Sequence, residues 1–529
     1  MSTDSSDLSH PTPPSRRGIS RRSFFKTSLV AGGAVLGGSW LVACSDDNGG
    51  IGGKDKNGKD KGSPVDDGAV INDDGSGSDA ATQLFGKSDT LAVAPMADQE
   101  ALDLAAQNHV PVIVVEDPQS PEGKEKIDST VSALKATHVV LLGGLTRGGV
   151  DNKDSKDNKD KNDGAEDNGV IYYEADTEWP KDAPTNDVKD GVSGTALAGP
   201  ETTPVAKANA TGSGFTVLSL LAADPRASSE SIEASRSDNK MVGLSQSFGT
   251  KEEMAERKEL ARTVERQQPG GGGLVFPGRH VIALYGHPSG PALGVMGEQD
   301  VNAAVERAQE MAAQYNDLVD TPVIPAFEII ATVAAQEPGP DASYSNYTDP
   351  AEIEPWVKAI TDAGGYAIID VQPGMETLLT QVKFYEDLIK MPNVGVALDP
   401  EWRLEPGQVP LSQVGHVQVE EINEVVDWLD QLVAKQKGEQ KLLMVHQFQL
   451  QMIRNREKMS TGTNNVKMLV HCDGHGAPGT KMDTWEVVRA ELPPKIALGW
   501  KNFIDEDQPM FTPQQTIDVK PTPDFVSYQ

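Results

Sequence analysis

The chain has 529 residues and carries 47 Lys and Arg against 79 Asp and Glu, a formal net charge of -32. This length suits two or three domains, and so acidic a chain lacks the basic surface that binding of nucleic acid phosphates requires. Hydrophobic residues make up 37% and aromatic residues 5%. These fractions are low for a globular enzyme, so part of the length is predicted to be linker or insertion.

Residues 1–43 have the pattern of an export signal. A polar start is followed by Arg21-Arg22, a Gly-rich apolar run over 29–41, and a Leu-Val-Ala-Cys sequence that ends at Cys44. The apolar run is too short for a transmembrane helix. The segment resembles a twin-arginine signal joined to a lipobox, which implies that Cys44 is lipidated and holds the protein at the outer face of the cytoplasmic membrane.

Two polar segments are predicted to lack a core. Residues 44–81 are rich in Asp, Gly, Lys, Asn and Ser and are predicted to form a disordered tether. A second stretch of this kind, 151–168, marks a disordered insertion that we place at 147–200. The insertion interrupts an α/β domain over 82–228, which the stretch 215–223 is expected to complete.

The α/β domain is predicted from alternating strands and helices. The predicted strands are 90–94, 110–115 and 138–142, and the predicted helices are 99–108 and 129–136. This alternation favours a small parallel sheet covered by helices. The motifs Ala94-Pro95, Pro111 to Val115, and Val139 to Gly144 resemble a cell-wall-binding repeat of Gram-positive surface proteins. Gly143-Gly144 lacks the spacing of a dinucleotide fingerprint, so no cofactor is predicted.

A barrel is predicted after a helical connector and Gly-rich linker at 229–275. Between 276 and 507, seven apolar runs alternate with helical segments; the runs are 280–285, 323–333, 366–371, 394–398, 442–445, 466–470 and 496–500. Seven strand–helix units favour a (β/α)8-like (TIM) barrel, complete or lacking one strand, over an open doubly wound sheet. Residues 508–529 are predicted to be a C-terminal tail.

The ends of the predicted barrel strands supply the candidate site, because they converge on one mouth. The candidate catalytic residues are Glu328, Asp370, Asp399, Glu401 and Asp473, and the candidate substrate-binding residues are His287, Trp402, His446, His471, Trp500 and Lys501. Several carboxyl groups beside aromatic rings suit glycosidic bond cleavage. In that reaction, one carboxylic acid protonates the leaving oxygen and a second carboxylate attacks the anomeric carbon or activates water.

Two strand ends carry a resemblance to a known class of protein. The stretches 368–373 and 396–402 resemble glycoside-hydrolase-type barrels of exported actinobacterial lipoproteins. The resemblance implies that the mouth binds an envelope polysaccharide, with or without hydrolysis. A non-catalytic cell-wall-binding or carbohydrate-binding lipoprotein is an open alternative, because a fold does not confer activity.

A second alternative is a metal-dependent polysaccharide deacetylase or hydrolase. His471, Asp473 and His475, together with His287 and His446, offer side chains that suit zinc. The sequence lacks an HExxH-like helical pair, so no metal is predicted. Cys472 is the only thiol besides Cys44, and at a strand end it is expected to be a small buried side chain rather than a nucleophile.

Asp399 and Glu401 lie on either side of Pro400. On an extended strand their side chains would share one side, but proline is expected to break this alternation. We therefore expect only one of the two to be catalytic, with another mouth carboxylate as its partner. The structural alternative is that Asp399 caps the next segment and Glu401 pairs with Arg403.

The lipid anchor can be tested directly. Replacing Cys44 with Ala removes the acceptor thiol and is expected to release the protein from the membrane fraction, because no other predicted segment holds it there. Fractionation of cells that express the parent and the Cys44→Ala protein measures this. A variant that sediments with membranes as completely as the parent would contradict the anchor.

Overall fold

The structure is a computed structural model that describes residues 62–96, 98–147, 165–167, 169–493 and 495–529, all within the unit Gly49–Gln529. The predicted export signal, Cys44, the first part of the predicted tether and most of the polar stretch 151–168 lie outside these residues. Within the described ranges, no helix is both long enough and apolar enough to cross a membrane.

The N-terminal part contains two small sheets with helices packed against them. Its helices are α1 (Ser78–Phe85), α2 (Gln99–Gln107), α3 (Pro121–Leu134), α4 (Pro204–Gly212), α5 (Ser229–Arg236) and α6 (Lys251–Thr263). Its strands are β1 (Thr90–Ala94), β2 (Val112–Val114), β3 (His138–Leu141), β4 (Ala165–Asp167), β5 (Val170–Glu174), β6 (Gly194–Ala198), β7 (Phe215–Ser219) and β8 (Met241–Gly243). The first sheet has the order β2-β1-β3-β5-β4 and is parallel except for β4, whereas the second, β7-β6-β8, is parallel throughout.

Local sequence signals explain why these elements form. All five residues of β1 are buried, as expected for a central strand covered on both faces. Helix α3 begins at Pro121, where the Ser120 side chain accepts a hydrogen bond from the backbone N–H of Gly123. The helix predicted at 129–136 therefore starts eight residues earlier than expected, because the Ser120 cap and Pro121 set its first turn.

The predicted tether requires a correction at its C-terminal end. Residues 62–81 belong to the folded part of the chain, because Ile71 is fully buried and Val70 bridges to Gly243 of β8. A few apolar side chains in a polar segment are enough to bind it to an existing sheet. The range 229–275 is also more than a connector, because it contains β8, which pairs with β6 in the second sheet.

The predicted insertion requires a similar correction. Residues 170–174 and 194–198, inside the predicted disordered range 147–200, form β5 and β6. Strand β5 pairs with β3, and β6 is the central strand of the second sheet. The stretch 215–223 begins with β7, which pairs with β6 and not with the first sheet. Apolar runs in both strands supply the buried surface that the Asp- and Lys-rich stretch lacks.

The C-terminal part is a closed barrel of parallel strands surrounded by helices. Its strands are β9 (His280–Gly286), β10 (Val323–Ala334), β11 (Ser345–Tyr347), β12 (Tyr366–Val371), β13 (Val394–Leu398), β14 (Val417–Gln418), β15 (Lys441–Gln447), β16 (Ile453–Arg454), β17 (Val466–Cys472), β18 (Ala497–Asn502) and β19 (Phe525–Tyr528). Its helices are α7 (Val301–Ala313), α8 (Pro350–Asp362), α9 (Leu378–Phe384), α10 (Glu386–Ile389), α11 (Val419–Gln436), α12 (Pro478–Arg489) and α13 (Pro513–Asp518).

Eight of these strands close the barrel in the order β9-β10-β12-β13-β15-β17-β18-β19, and β19 pairs back to β9. Every pairing around this ring is parallel, which confirms the predicted (β/α)8-like class. Strand β11 lies outside the ring and runs antiparallel to the end of β10. The segment 508–529 is not a tail, because it contains β19, the eighth strand. Four residues are too few for a clear strand signal in sequence.

The Gly-rich linker is fixed against the closed end of the barrel. Val275 and Phe276 are buried among side chains from the N-terminal ends of the barrel strands. The Arg279 guanidinium donates hydrogen bonds to the carbonyl oxygens of Pro269, Gly271 and Leu274. The linker therefore supplies part of the barrel core and is not a free hinge.

This packing predicts where an independent barrel begins. A fragment of residues 268–529 is expected to fold alone, and Phe276→Ala within it should reduce the free energy of unfolding by about 3–5 kcal/mol, because it removes a buried ring. Chemical denaturation of both fragments measures the difference. If the parent fragment aggregates or is unfolded, the barrel shares its core with the N-terminal part.

Candidate functional site

The C-terminal ends of the barrel strands surround a cavity of about 740 Å³. Five predicted site residues line it, namely Asp399, Glu401, Trp402, Asp473 and Lys501. Four more, Glu328, Asp370, His446 and His471, are fully buried next to this lining. This is the end of a (β/α) barrel at which functional groups converge. The structure therefore brings most of the predicted site residues together.

His446, near the end of β15, is held between two carboxylates. Its Nε2 lies 2.7 Å from Glu328 Oε1 and its Nδ1 lies 2.8 Å from Asp473 Oδ2. Burial alone would lower the pKa of an imidazole, but the two carboxylates outweigh it and hold the pKa of His446 well above its ordinary value. His446 is therefore an imidazolium that donates one hydrogen bond to each carboxylate.

Asp473, just after β17, has one oxygen engaged by this imidazolium. No described residue donates a hydrogen bond to its other oxygen, Oδ1, and the side chain lines the cavity. Burial acts to raise the pKa of Asp473, but the hydrogen bond and the charge of His446 reverse this and lower it below the usual value. Asp473 is thus an ionised carboxylate at the cavity lining.

Glu401 lies in the same lining on a short 3-10 turn, Pro400–Trp402. Burial, followed by the negative charge of Asp473, raises the pKa of Glu401 to about 7. Glu401 is therefore protonated up to nearly neutral pH while Asp473 is ionised.

Asp399 is buried at the end of β13 beside Glu401. Burial and the charge of Glu401 raise the pKa of Asp399 well above its ordinary value. The structural alternatives for this pair are wrong: Asp399 makes no side-chain cap, and Arg403 pairs with Glu421. The turn at Pro400 confirms that the strand alternation is broken, yet both carboxyl groups still line the cavity.

Tyr285, on β9, lines the cavity but is not among the predicted site residues. Its hydroxyl donates a hydrogen bond of 3.1 Å to Asp370 Oδ2, and the ammonium of Lys501 lies 3.6 Å from its ring centre. Burial raises the pKa of Asp370 to about 6. The signal was available, because Tyr285 is two residues after the inward-facing Ala283 and so points into the barrel.

Of the four histidines proposed as metal ligands, His287, His446 and His471 contact other side chains, whereas His475 is exposed and lines the cavity. His471 Nε2 lies 2.8 Å from Ser527 Oγ, and Gly499 packs so closely on His471 Nδ1 that a methyl group there would overlap it. His287 contacts the hydroxyls of Ser289 and Thr348 at 2.7 and 2.8 Å. Across the described part of the chain, no group of three or more His, Cys, Asp or Glu side chains has an arrangement that would hold a metal ion.

Two predicted substrate-binding residues lie away from the cavity. Trp500 is buried among the surrounding helices, where its indole donates to Asn502 Oδ1 and stacks on Phe511. His287 is also buried and does not line the cavity. Trp500 was misassigned because alternate residues of a strand face opposite sides of the barrel wall. Cys472 is a buried thiol whose pKa burial raises to about 12, which agrees with the predicted inert side chain.

Comparison with known proteins assigns no family to this site. No protein-family model matches the chain, and no curated protein matches it. The function therefore has to be argued from the chemistry of the mouth itself.

The shifted carboxyl groups predict how stability depends on pH. Glu401 and Asp370 have raised pKa values of about 7 and about 6, so these two groups bind more protons in the folded protein than in the unfolded chain between about pH 4 and pH 7. Their contribution to the free energy of unfolding should therefore decrease as pH rises through this range.

Urea denaturation between pH 5 and pH 8 measures this dependence. Glu401→Gln removes one of the shifted groups and should flatten the curve, particularly near pH 6 to 7. An identical dependence on pH in the parent and in Glu401→Gln between pH 5 and pH 7 would contradict the raised pKa of Glu401.

Proposed function

We propose that the barrel mouth binds a cell-envelope glycan and hydrolyses one of its glycosidic bonds. Glu401 acts as the proton donor and Asp473 as the second carboxylate. The observation that carries this proposal is that Glu401 and Asp473 line one cavity but only Asp473 is hydrogen-bonded to the imidazolium of His446. Burial raises the pKa of Glu401 to about 7, whereas His446 lowers that of Asp473. A carboxylic acid and a carboxylate in one cavity are the two groups that this reaction requires.

Glu401 and Asp473 have different roles in the proposed reaction. Glu401 gives its proton to the glycosidic oxygen as the bond from that oxygen to the anomeric carbon breaks. Asp473 attacks the anomeric carbon or removes a proton from the attacking water, and one water molecule is consumed per bond. Donation leaves Glu401 ionised. If Asp473 attacks the anomeric carbon, the water that then hydrolyses the bond between Asp473 and the sugar returns a proton to Glu401. If Asp473 instead takes the proton of the attacking water, it releases that proton to solvent and Glu401 is reprotonated from solvent.

The buried residues support Asp473 in this role. The hydrogen bond from His446 holds Asp473 Oδ2 and leaves Oδ1 without a protein donor. Glu328, on the opposite side of the imidazolium, fixes the ring and stabilises its charge. Trp402, Phe448 and Phe503 line the cavity and offer ring faces to the C–H surfaces of a sugar.

The location of this reaction is proposed from the N-terminal sequence. A lipid on Cys44 would hold the protein on the outer face of the cytoplasmic membrane, where envelope glycans are the available substrates. The N-terminal α/β part, which resembles a cell-wall-binding repeat, would provide a second contact with the envelope. Such a contact keeps the barrel near its substrate and raises its effective concentration.

Replacement of the two carboxyl groups tests the proposal. Glu401→Gln and Asp473→Asn nearly preserve shape and should each reduce the hydrolysis rate of purified envelope glycans by about 10²–10⁴-fold. Glu506→Gln is the matched control, because Glu506 also lines the cavity but is exposed. Its rate should remain close to that of the parent.

The pH profile separates a catalytic role from a structural one. The parent rate should fall as pH rises above about 7, because Glu401 must be protonated to donate. Glu401→Gln should lack this limb in its residual rate. Full activity in both carboxyl variants would exclude this pair, and glycan binding without turnover in the parent would favour a carbohydrate-binding module.

A further inference from the structure

The cavity at the barrel mouth has an aliphatic side and an acidic side. Leu293, Ile330, Val333 and Ala334, which we call the apolar wall, line it from the loop after β9 and from the end of β10. The carboxyl groups Asp399, Glu401 and Asp473 and the rings of Trp402, Phe448 and Phe503 come from β13, β15, β17 and β18 or the loops that follow them. Apart from Leu411 in the loop after β13 and the buried Tyr285 and Gln372, the aliphatic and the acidic side chains therefore lie on different parts of the ring of strands.

A β-bulge in β10 builds the apolar wall. Ile330 pairs with Asp370 and Thr332 pairs with the very next residue, Val371, so Ala331 is an extra residue in β10. Without the bulge, Thr332 would face the barrel interior with Ile330. Instead its hydroxyl donates to Gln381 Oε1 at 2.7 Å and accepts from the backbone N–H of Gln372 at 2.8 Å. The bulge thus turns a polar side chain away, and aliphatic Val333 lines the cavity beyond it.

An exposed leucine stands at the rim of the same cavity. Leu411 lines the cavity, is 69% exposed and has a φ of 65°. The left-handed conformation is unfavourable for a leucine, and exposure of its side chain to water adds to the penalty. Both the left-handed backbone and the exposed side chain of Leu411 cost free energy. Their occurrence at a cavity indicates that Leu411 contacts a ligand.

The aliphatic side chains of the apolar wall and Leu411 indicate which part of a ligand they bind. Sugar rings pack on flat aromatic faces, which this cavity supplies on the acidic side. Aliphatic side chains instead gain affinity from burying flexible hydrocarbon. The wall is continuous with the lining that contains Glu401 and Asp473, so one ligand can reach both.

We infer that the apolar wall and Leu411 bind the alkyl or acyl chain of an amphiphilic glycoside, so that the substrate is a lipid-linked glycan and not a free polysaccharide. This inference rests on the proposed function, because it places the sugar of the same ligand at Glu401 and Asp473. The chain lies along the apolar wall, and Leu411 covers it from the rim.

A series of alkyl glycosides tests the inference on the full-length protein. Methyl, hexyl and octyl glucosides and N-acetylglucosaminides, in both anomers, are titrated by calorimetry below their micelle concentrations. The dissociation constant should fall about fourfold for each CH₂ group between hexyl and octyl. Methyl glycosides report the sugar contacts alone.

Two variants and one control locate the effect. Leu411→Asn suits the left-handed backbone and should weaken octyl glycoside binding about tenfold while leaving methyl glycoside binding unchanged. Val333→Thr keeps the side-chain shape and should also reduce the dependence on chain length. Leu450→Asn is the control, because Leu450 is 46% exposed and lies outside the cavity lining.

The outcomes separate this inference from the proposed function. If methyl and octyl glycosides bind equally tightly, the apolar subsite is refuted while the glycan site stands. If Leu450→Asn weakens octyl binding as much as Leu411→Asn does, the chain adsorbs to the surface in general and the subsite is refuted. If no glycoside binds, the proposed function falls and this inference falls with it.

Discussion

The buried imidazolium of His446 is the interaction on which the mouth depends. It lies between Glu328 and Asp473, and all three side chains are almost completely removed from water. Loss of any one of them would leave a buried charge without its partner, which typically costs about 3–5 kcal/mol. This charge also keeps Asp473 ionised, whereas burial and the negative charges of neighbouring carboxyl groups raise the pKa values of Asp399 and Glu401 despite the nearby cation.

The surrounding barrel supplies what such a clamp requires. Glu328 lies on β10, His446 lies on β15, and Asp473 directly follows β17. The closed ring of strands brings these three side chains together. His471 packs edge-on against His446, with ring centres 5.1 Å apart, and burial together with the charge of His446 lowers the pKa of His471 well below its ordinary value. A neutral ring can therefore stand next to the imidazolium without repulsion. Gly499 provides the space that His471 needs.

Much of this architecture could be predicted from sequence because it follows from local patterns. Apolar runs separated by helical segments predicted seven of the eight barrel strands, and the rule that strand ends converge predicted most of the mouth. The eighth strand, β19, was missed because four residues carry too weak a pattern, and Ser527 was missed with it. The division of roles among the carboxyl groups depends on burial and on pairwise distances, which sequence does not contain. Trp500 shows the same limit, because a one-residue change of register decides whether a ring faces the mouth or the helices.

The raised carboxyl pKa values have a calorimetric consequence. Near neutral pH, Glu401 and Asp370 are each only partly protonated in the free protein. A neutral ligand that displaces water from the mouth deepens the burial of Glu401, which lines the cavity, and favours its protonated form still further. Binding therefore draws protons from the buffer, and the apparent enthalpy of association should vary with the ionisation enthalpy of that buffer. Ligand binding at the mouth is thus coupled to proton uptake.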